Sequence, residues 1–198
     1  MDEGYIKFDC QWKKGAVWPV EKVEALAYWR QRMYEVGLIG AYADGIGFGN
    51  ISQRLAEGLL MISGSATGLL KALDGRHFAR VSNIDIAANR VICEGPIRAS
   101  SETMSHAVIY LECPWVNAVI HVHHLALWQK HLDQLPTTLA TASYGTPQMA
   151  YEIIRLLQET AVQERKVFVM GGHREGLIAF GADLEEAGEL LLDLLSQL

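Results

Sequence analysis

The sequence predicts an α/β fold in which helices pack on the faces of a central, mainly antiparallel sheet. Short apolar runs bounded by turn residues fill the middle of the chain, and most of them are spaced as hairpins. Amphipathic helical patterns are interleaved with these runs and also close the chain. The 198 residues are 50% hydrophobic and 20% charged, without a low-complexity linker. This composition favours one domain, spanning residues 1–198, with one sizeable core.

The first half of the chain predicts one helix and four strands. The helix is placed at residues 19–37, because Pro19 suits a first helical position and Gly37 can end the helix. Its apolar stripe consists of Val23, Leu26, Trp29, Met33 and Val36. The four strands are predicted at residues 49–55, 59–63, 78–84 and 90–94. A short polar turn separates the last two strands, which therefore form a hairpin.

The second half of the chain alternates helices with strands. Ser100 or Ser101 is the predicted cap of a helix that runs to about Leu111. An apolar run at residues 115–120 follows and predicts a buried strand that ends in histidines. The remaining elements are a helix at residues 146–160, strands at 166–170 and 176–180, and a helix opening at Asp183. The leucines of this last helix that should face the core are Leu184, Leu191, Leu194 and Leu198.

Charge, hydropathy and cysteine spacing exclude several classes of protein. The formal net charge of −6 argues against a nucleic-acid or acidic-membrane partner. No apolar run approaches the ~18 residues of a membrane span, and residues 1–5 lack the features of a signal peptide. Three widely spaced cysteines without a CxxC motif predict reduced thiols in a cytoplasmic protein. They are Cys10, Cys93 and Cys113.

The histidines that end the buried strand are the most informative feature of the sequence. Side chains alternate along a strand, so His121 and His123 share one face and His124 lies on the other. Two imidazoles on one face can bind one metal ion, whereas the alternative is a pair of hydrogen-bonded core histidines. His173, in a glycine-rich turn between two strands, is the best candidate for a third ligand. Three imidazoles with one open position are typical of catalytic zinc.

Two familiar classes with paired histidines do not fit this chain. Cupins carry a glutamate a few residues after the pair, whereas residues 125–127 here are Leu-Ala-Leu. Metallo-β-lactamase-like hydrolases use HxHxDH, and no aspartate stands at the corresponding position. The pair therefore belongs to a different class of site.

Polar segments elsewhere in the chain predict an anion site. Ser100 and Ser101 open a helix, where free N–H groups and two hydroxyls can hold a phosphate, although simple capping is the alternative. Glu102 follows in the first turn and becomes a candidate general base if it points at the metal. Two further Gly-containing segments, at residues 49–52 and 65–68, could add amides and hydroxyls around the same anion.

Together these segments resemble the class II aldolase/adducin family from about residue 23 to residue 195. The matching motifs are Gly-Asn-Ile-Ser at 49–52, Ser-Ala-Thr-Gly at 65–68, Ser-Ser-Glu at 100–102, His-Val-His at 121–123 and Gly-His-Arg-Glu-Gly at 172–176. Five motifs in family order make the resemblance specific. It implies a three-layer α/β/α sandwich around a mainly antiparallel sheet.

The resemblance also implies a role for each candidate site residue. The metal role falls on His121, His123 and His173. The acid/base role falls on Glu102. The residues implied to contact the substrate phosphate are Asn50, Thr67, Gly68, Ser100 and Ser101. This chain departs from the family in having Ala99 before the two serines, and His124 after the HxH pair.

The implied function is that of a zinc-dependent lyase of the aldolase type, with another divalent transition metal as a possible cofactor. Its substrate would be a small sugar phosphate or related hydroxy-carbonyl compound, cleaved through a metal-stabilised enediolate. The same residues would also serve an epimerase or a dehydratase. Family members are often homotetramers, so the implied partner is a second copy of this chain. The alternatives from other classes are a non-catalytic adducin-like binding protein and a metal-binding protein without turnover.

Overall fold

An eight-stranded sheet forms the centre of the computed structural model, which describes residues 5–198. The expectations for residues 1–4, including the start of the predicted domain and most of the segment tested for a signal peptide, lie outside the described residues. The strands of the sheet are β1 (Asp9–Lys14), β4 (Asn50–Arg54), β5 (Leu60–Ser63), β6 (Phe78–Asp85), β7 (Arg90–Gly95), β8 (Ala118–His123), β9 (Val167–Val169) and β10 (Gly176–Gly181). Their order is β1-β7-β6-β5-β4-β8-β10-β9.

The sheet is antiparallel at every pairing except that of β1 with β7. A separate two-stranded hairpin contains β2 (Gly40–Ala41) and β3 (Gly47–Phe48). Six α-helices accompany the strands: α1 (Glu24–Glu35), α2 (Thr103–Glu112), α3 (Leu125–His131), α4 (Pro147–Glu159), α5 (Val162–Arg165) and α6 (Leu184–Ser196). One-turn 3₁₀ helices lie at Val20–Lys22 and Gly75–His77.

Two hydrophobic layers, one on each face of the sheet, form the core. Helices α2 and α4 cover one face, where Met104 and Ile153 lie in one hydrophobic cluster with Val119 of β8. Helices α1, α3 and α6 cover the other face, where Leu26 and Leu191 lie in one cluster with β8, β9 and β10. The prediction of a three-layer α/β/α sandwich with a mainly antiparallel sheet is therefore confirmed. No helix within residues 5–198 combines the length and the apolar character that crossing a bilayer requires.

The apolar alternation located most elements, and the differences have local causes. Strand β1 was not predicted because it is a polar edge strand, most of whose residues are exposed. Helix α3 was not predicted because its seven residues follow the histidine strand directly, without a Gly or Pro signal. Two predicted core residues are wrong: Val36 is 42% exposed after the end of α1, and Leu198 is 54% exposed beyond α6.

The start of α2 also differs from the prediction of a serine cap. Residue Glu102 occupies the N-cap, and its side chain makes no capping hydrogen bond. Ser100 instead shapes the turn before the helix, because its hydroxyl accepts from the Glu102 N–H at 3.3 Å. Its carbonyl accepts from the Thr103 hydroxyl at 2.6 Å. This turn carries the Glu102 carboxyl to the sheet face shared by His121 and His123.

A buried arginine of α1 fixes the loop that follows β5. The Arg30 guanidinium donates to the carbonyl oxygens of Thr67 and Gly68, each at 3.0 Å. It also donates to the carbonyl of Lys71 at 3.0 Å and to that of Leu70. Burial lowers the pKa of Arg30 only to about 10, so it keeps its charge at neutral pH. One side chain therefore donates to four carbonyl groups, of which only that of Thr67 has a further donor among residues 5–198, the Leu70 N–H at 3.1 Å.

Replacing this arginine should destabilise the whole fold. Arg30→Met is expected to lower the free energy of unfolding by about 2–4 kcal/mol, because it removes the donor to the buried Gly68 carbonyl and one of the two donors to the Thr67 carbonyl. Chemical denaturation of the metal-free protein measures this change. Arg32→Met is the matched control on the same helix, because its ion pair with Glu189 lies at the exposed surface and contributes little to stability. Equal losses in the two variants would contradict the role given to Arg30.

Candidate active site

Three histidine rings converge on the sheet face that α2 and α4 cover. His121 and His123 lie on β8, in phase with the core residue Val119. The turn between β9 and β10 brings His173 beside them, because Gly176 pairs directly with His123 across the β8–β10 ladder. A Cβ at Gly176 would lie 2.8 Å from the His173 ring and 3.1 Å from the His121 ring. The ring cluster therefore requires glycine at this position.

The geometry of the three rings fits a metal-ligand set. The Nε2 atom of His123 lies 3.0 Å from the Nε2 atoms of both His121 and His173. Ligand nitrogens bound to one tetrahedral Zn²⁺ at about 2.0–2.1 Å would lie roughly 3.3 Å apart. Burial lowers the pKa of all three imidazoles, that of His121 to about 4, so the rings are neutral at neutral pH. Neutral imidazole is the form that ligates metals.

Hydrogen bonds on the far side of two rings select the tautomer that a metal needs. Nδ1 of His121 lies 3.0 Å from the Leu177 carbonyl oxygen, which can only accept, so Nδ1 carries the proton. The His121 Nε2 lone pair then points into the cluster. Facing lone pairs at this distance repel one another unless they share a cation, and this arrangement supports a metal site.

A tyrosine and a carboxylate set the tautomer of His123, the second histidine of β8. The Tyr42 hydroxyl, in the loop after β2, donates to Glu175 Oε2 at 2.9 Å. The Tyr42 oxygen lies 2.9 Å from His123 Nδ1 and accepts its proton. Glu175 adopts a left-handed backbone conformation, φ +72°, in the same turn as His173. The motif at residues 172–176 included Glu175, but no sequence signal indicated its contact with Tyr42.

A buried carboxyl group lies beside the histidine cluster. Glu102 Oε2 accepts from the Ser105 hydroxyl at 2.8 Å. Glu102 Oε1 lies 3.6 Å from His173 Nε2 and has no hydrogen-bond partner among residues 5–198. Burial raises the pKa of Glu102 to about 7. A carboxyl group in this state can either accept or donate a proton near neutral pH.

A polar pocket rich in glycine opens next to Glu102. We call it the glycine-rich pocket. It is lined by Gly47, Gly49, Asn50, Gly64, Ser65, Ala66, Thr67, Gly68, Ser100, Ser101 and Glu102. The Asn50 side-chain oxygen is buried without a partner in the described part of the chain. A Cβ at Gly68 would lie 2.2 Å from the Gly40 carbonyl oxygen, so only glycine fits there. Backbone amides and hydroxyls thus surround a space that suits an anion.

The structure brings all nine candidate site residues of the sequence into one region. The three histidines and Glu102 form a cluster, and the other five residues line the glycine-rich pocket. Glu102 belongs to both, because it also lines the pocket. His106 instead packs in the core, with Nδ1 2.7 Å from the Ser52 hydroxyl. His124 caps α3 by accepting from the Leu127 N–H at 3.3 Å. These two histidines lie outside the cluster.

A protein family and a curated relative match this chain. The family model described as Class II Aldolase and Adducin N-terminal domain matches residues 24–195. Methylthioribulose-1-phosphate dehydratase of Gluconobacter oxydans (strain 621H) is 32% identical over 116 residues, which are 58% of this chain and 50% of that protein. The chain thus spans about half the length of this curated relative.

Solved structures share the fold. YgbL from Klebsiella pneumoniae superposes with a TM-score of 0.64 at 18% identity, covering 89% of this chain and 86% of that one. The l-fuculose-1-phosphate aldolase from Thermus thermophilus superposes with a TM-score of 0.59 at 23% identity, covering 86% and 88% respectively. The match of the family model over most of the sequence decides the assignment, and the chain belongs to the class II aldolase and adducin family.

Proposed function

We propose that this protein is a zinc-dependent lyase of the aldolase type that acts on a small sugar phosphate or related hydroxy-carbonyl compound. The observation that carries the proposal is the convergence of three neutral imidazole nitrogens beside a buried carboxyl group. Glu102 Oε1 lies 3.6 Å from His173 Nε2, and the candidate ligand nitrogens of the three histidines lie within 4.8 Å of one another. A structural cluster of core histidines would not need, at its edge, a buried carboxyl oxygen that has no hydrogen-bond partner among residues 5–198.

The three histidines would hold Zn²⁺ or another divalent transition metal. When bound, such a metal supplies Lewis-acid polarisation of a carbonyl oxygen and its neighbouring hydroxyl. Glu102 would move the proton, since Oε1 faces the cluster and burial holds its pKa near 7. Helices α2 and α4 exclude water from the deep side of the site.

The glycine-rich pocket would bind the phosphate of the substrate. Asn50, Thr67, Gly68, Ser100 and Ser101 are proposed as its contacts. The Thr67 hydroxyl donates to the Gly64 carbonyl at 2.9 Å, so its contribution to an anion comes from the backbone N–H. Because the chain has a formal net charge of −6, an anion has to be held by such local donors.

A substrate panel tests the proposed lyase activity. The zinc-loaded protein is incubated with dihydroxyacetone phosphate and a series of aldehydes, in the condensation and the cleavage directions. Formation of a new carbon–carbon bond is the expected result. Zinc-bound protein that is silent across the panel would contradict the aldolase proposal and favour a binding protein without turnover.

A dehydratase is the second candidate, favoured by the 32% identity to the Gluconobacter relative. The same residues would serve it, because removal of a proton next to a polarised carbonyl precedes loss of a hydroxyl group. Methylthioribulose 1-phosphate added to the panel separates the two reactions by mass spectrometry. Dehydration gives one product lighter by one water, whereas aldol cleavage gives two fragments.

The proposal extends to the assembly and the setting of the enzyme. By analogy with the family, we infer a homotetramer in the cytoplasm, with residues 1–198 acting as one domain. Light scattering coupled to gel filtration measures the mass of the assembly. A monomer at working concentration would contradict this inference.

The hydrogen-bonded pair Tyr42–Glu175 should strengthen metal binding. Tyr42→Phe is expected to weaken the affinity for zinc by about tenfold or more, because Nδ1 of His123 loses its acceptor. Competition with a chromophoric chelator measures the affinity. Tyr151→Phe, at an exposed position of α4, is the control and should leave it unchanged. Zinc affinity in Tyr42→Phe equal to that of the wild type would show that the hydroxyl does not orient the ligand.

A further inference from the structure

The segment before β1 runs past the candidate site and is held there by the sheet. Asp9 donates its N–H to the Asn89 carbonyl at 2.8 Å, and the Asn89 side chain donates to the Lys7 carbonyl at 3.0 Å. Phe8 is buried in the hydrophobic core between them. The Lys7 carbonyl and the Asp9 N–H are therefore both held by Asn89, in the turn between β6 and β7. This segment precedes residues 24–195, so the family match does not account for it.

The side chain of Lys7 reaches the rim of the site. Its Nζ atom lies 3.7 Å from the centre of the Tyr144 ring. The Tyr144 ring in turn lies 4.7 Å from the His173 ring, centre to centre. Gly145 connects the same region to the glycine-rich pocket, because a Cβ there would lie 3.6 Å from Lys7 Cβ and 3.2 Å from the Ser101 carbonyl oxygen. The Lys7 side chain thus lies beside Tyr144, which packs on His173, and beside Gly145, which adjoins Ser101 of the pocket.

A cationic side chain beside the glycine-rich pocket would add a charged contact to the amides and hydroxyls of its lining. None of its eleven lining residues, all within the described chain, is a lysine or an arginine. Arg30 lies behind the loop, and its guanidinium donates to four carbonyl groups of residues 67–71. Burial raises the pKa of Glu102 and lowers that of His173; the positive charge of Lys7 opposes the first effect and adds to the second, so its field extends into the site.

We propose that Lys7 supplies the cationic contact for the anionic group of the substrate, at the rim formed by Tyr144 and Ser101. The ligand class is a phosphate monoester or a carboxylate bound with its reacting carbons at the histidine cluster. The substrate class rests on the proposed function, whereas the anion-binding role can be measured without turnover. Stacking on Tyr144 holds the ammonium in place and spares the entropy of ordering a free lysine.

Binding of inorganic phosphate to the zinc-loaded full chain tests this role. By titration calorimetry at low ionic strength, Lys7→Met is expected to weaken phosphate binding by about tenfold or more, the value of a charged hydrogen bond. Lys7→Arg should keep the affinity within about threefold, because it restores the charge. Lys13→Met, an exposed lysine of β1, is the control and should bind as the wild type does. The difference between Lys7→Met and the wild type should shrink as salt is added.

Other results would overturn the proposal. Phosphate binding that is undetectable in the wild type, or equal in the wild type and Lys7→Met, removes Lys7 from anion recognition. An equal loss in Lys7→Arg assigns the effect to packing instead of charge. If no sugar phosphate turns over while phosphate binding depends on Lys7, the lyase proposal fails and the anion contact stands. With a phosphorylated substrate in hand, Lys7→Met should raise KM far more than it lowers kcat.

Discussion

His121→Ala should lose its metal and its activity together. The substitution removes one of three converging imidazoles, and the loss of zinc affinity should exceed the roughly 10–100-fold that removal of an outer hydrogen-bond partner costs. The remaining two rings, held 3.0 Å apart at Nε2, cannot complete the ligand set. Elemental analysis of the purified variant and of the wild type, both produced with ample zinc, measures the metal per chain.

His124→Ala is the matched control for this experiment. His124 follows His123 directly but caps α3, so its loss should cost about 1 kcal/mol of stability and leave the metal content unchanged. Wild-type protein without a stoichiometric divalent metal would contradict the zinc enzyme. Metal retained in His121→Ala would show that the three histidines are not the metal-binding site.

Glu102→Gln should keep the metal and lose most of the turnover. The amide preserves the shape of the side chain and its contact with the Ser105 hydroxyl, but it cannot accept a proton. General acid–base catalysis contributes about 10²–10⁴-fold, so kcat should fall by that factor while zinc content stays at the wild-type value. Steady-state kinetics on the substrate identified by the panel, with metal analysis of the same sample, gives both numbers.

Glu112→Gln is the control for Glu102→Gln. Glu112 lies at the exposed end of the same helix, where it accepts from Gln158, and its replacement should leave kcat within about twofold, as expected for a surface substitution. Unchanged turnover in Glu102→Gln would remove this carboxyl from proton transfer. Loss of the metal in that variant would instead make Glu102 a ligand, which its 3.6 Å distance from His173 Nε2 allows.

The sequence predicted those parts of the fold whose signals are local. Strand β8 shows a continuous apolar run, and α4 has a threonine cap followed by Pro147, so both were located. Strand β1 carries no such signal, because its place in the sheet depends on a parallel partner far along the chain. The predicted extent of α1 included Val36 because periodicity continues past the residue at which the helix ends.

The same distinction applies to the site. Short motifs carry the histidines, Glu102 and the pocket residues, so these could be proposed from spacing and from the family resemblance. Tyr42 and Glu175 come together only when the hairpin of β2 and β3 packs against the turn before β10. Lys7 reaches Tyr144 only because β1 joins the sheet. Contacts of this kind depend on tertiary structure and produce no periodic pattern in the sequence.

The pairing of β4 with β8 sets the distance between the glycine-rich pocket and the histidine cluster. Asn50 of the glycine-rich pocket stands directly opposite His121 in this ladder. A slip of one residue would turn either side chain to the other face, so the spacing of pocket and histidines is fixed by main-chain hydrogen bonds. In the proposed enzyme, a substrate would therefore be selected by the number of carbons between its anion and its carbonyl. Loop residues around the site would then determine which substituents beyond the carbonyl are accepted.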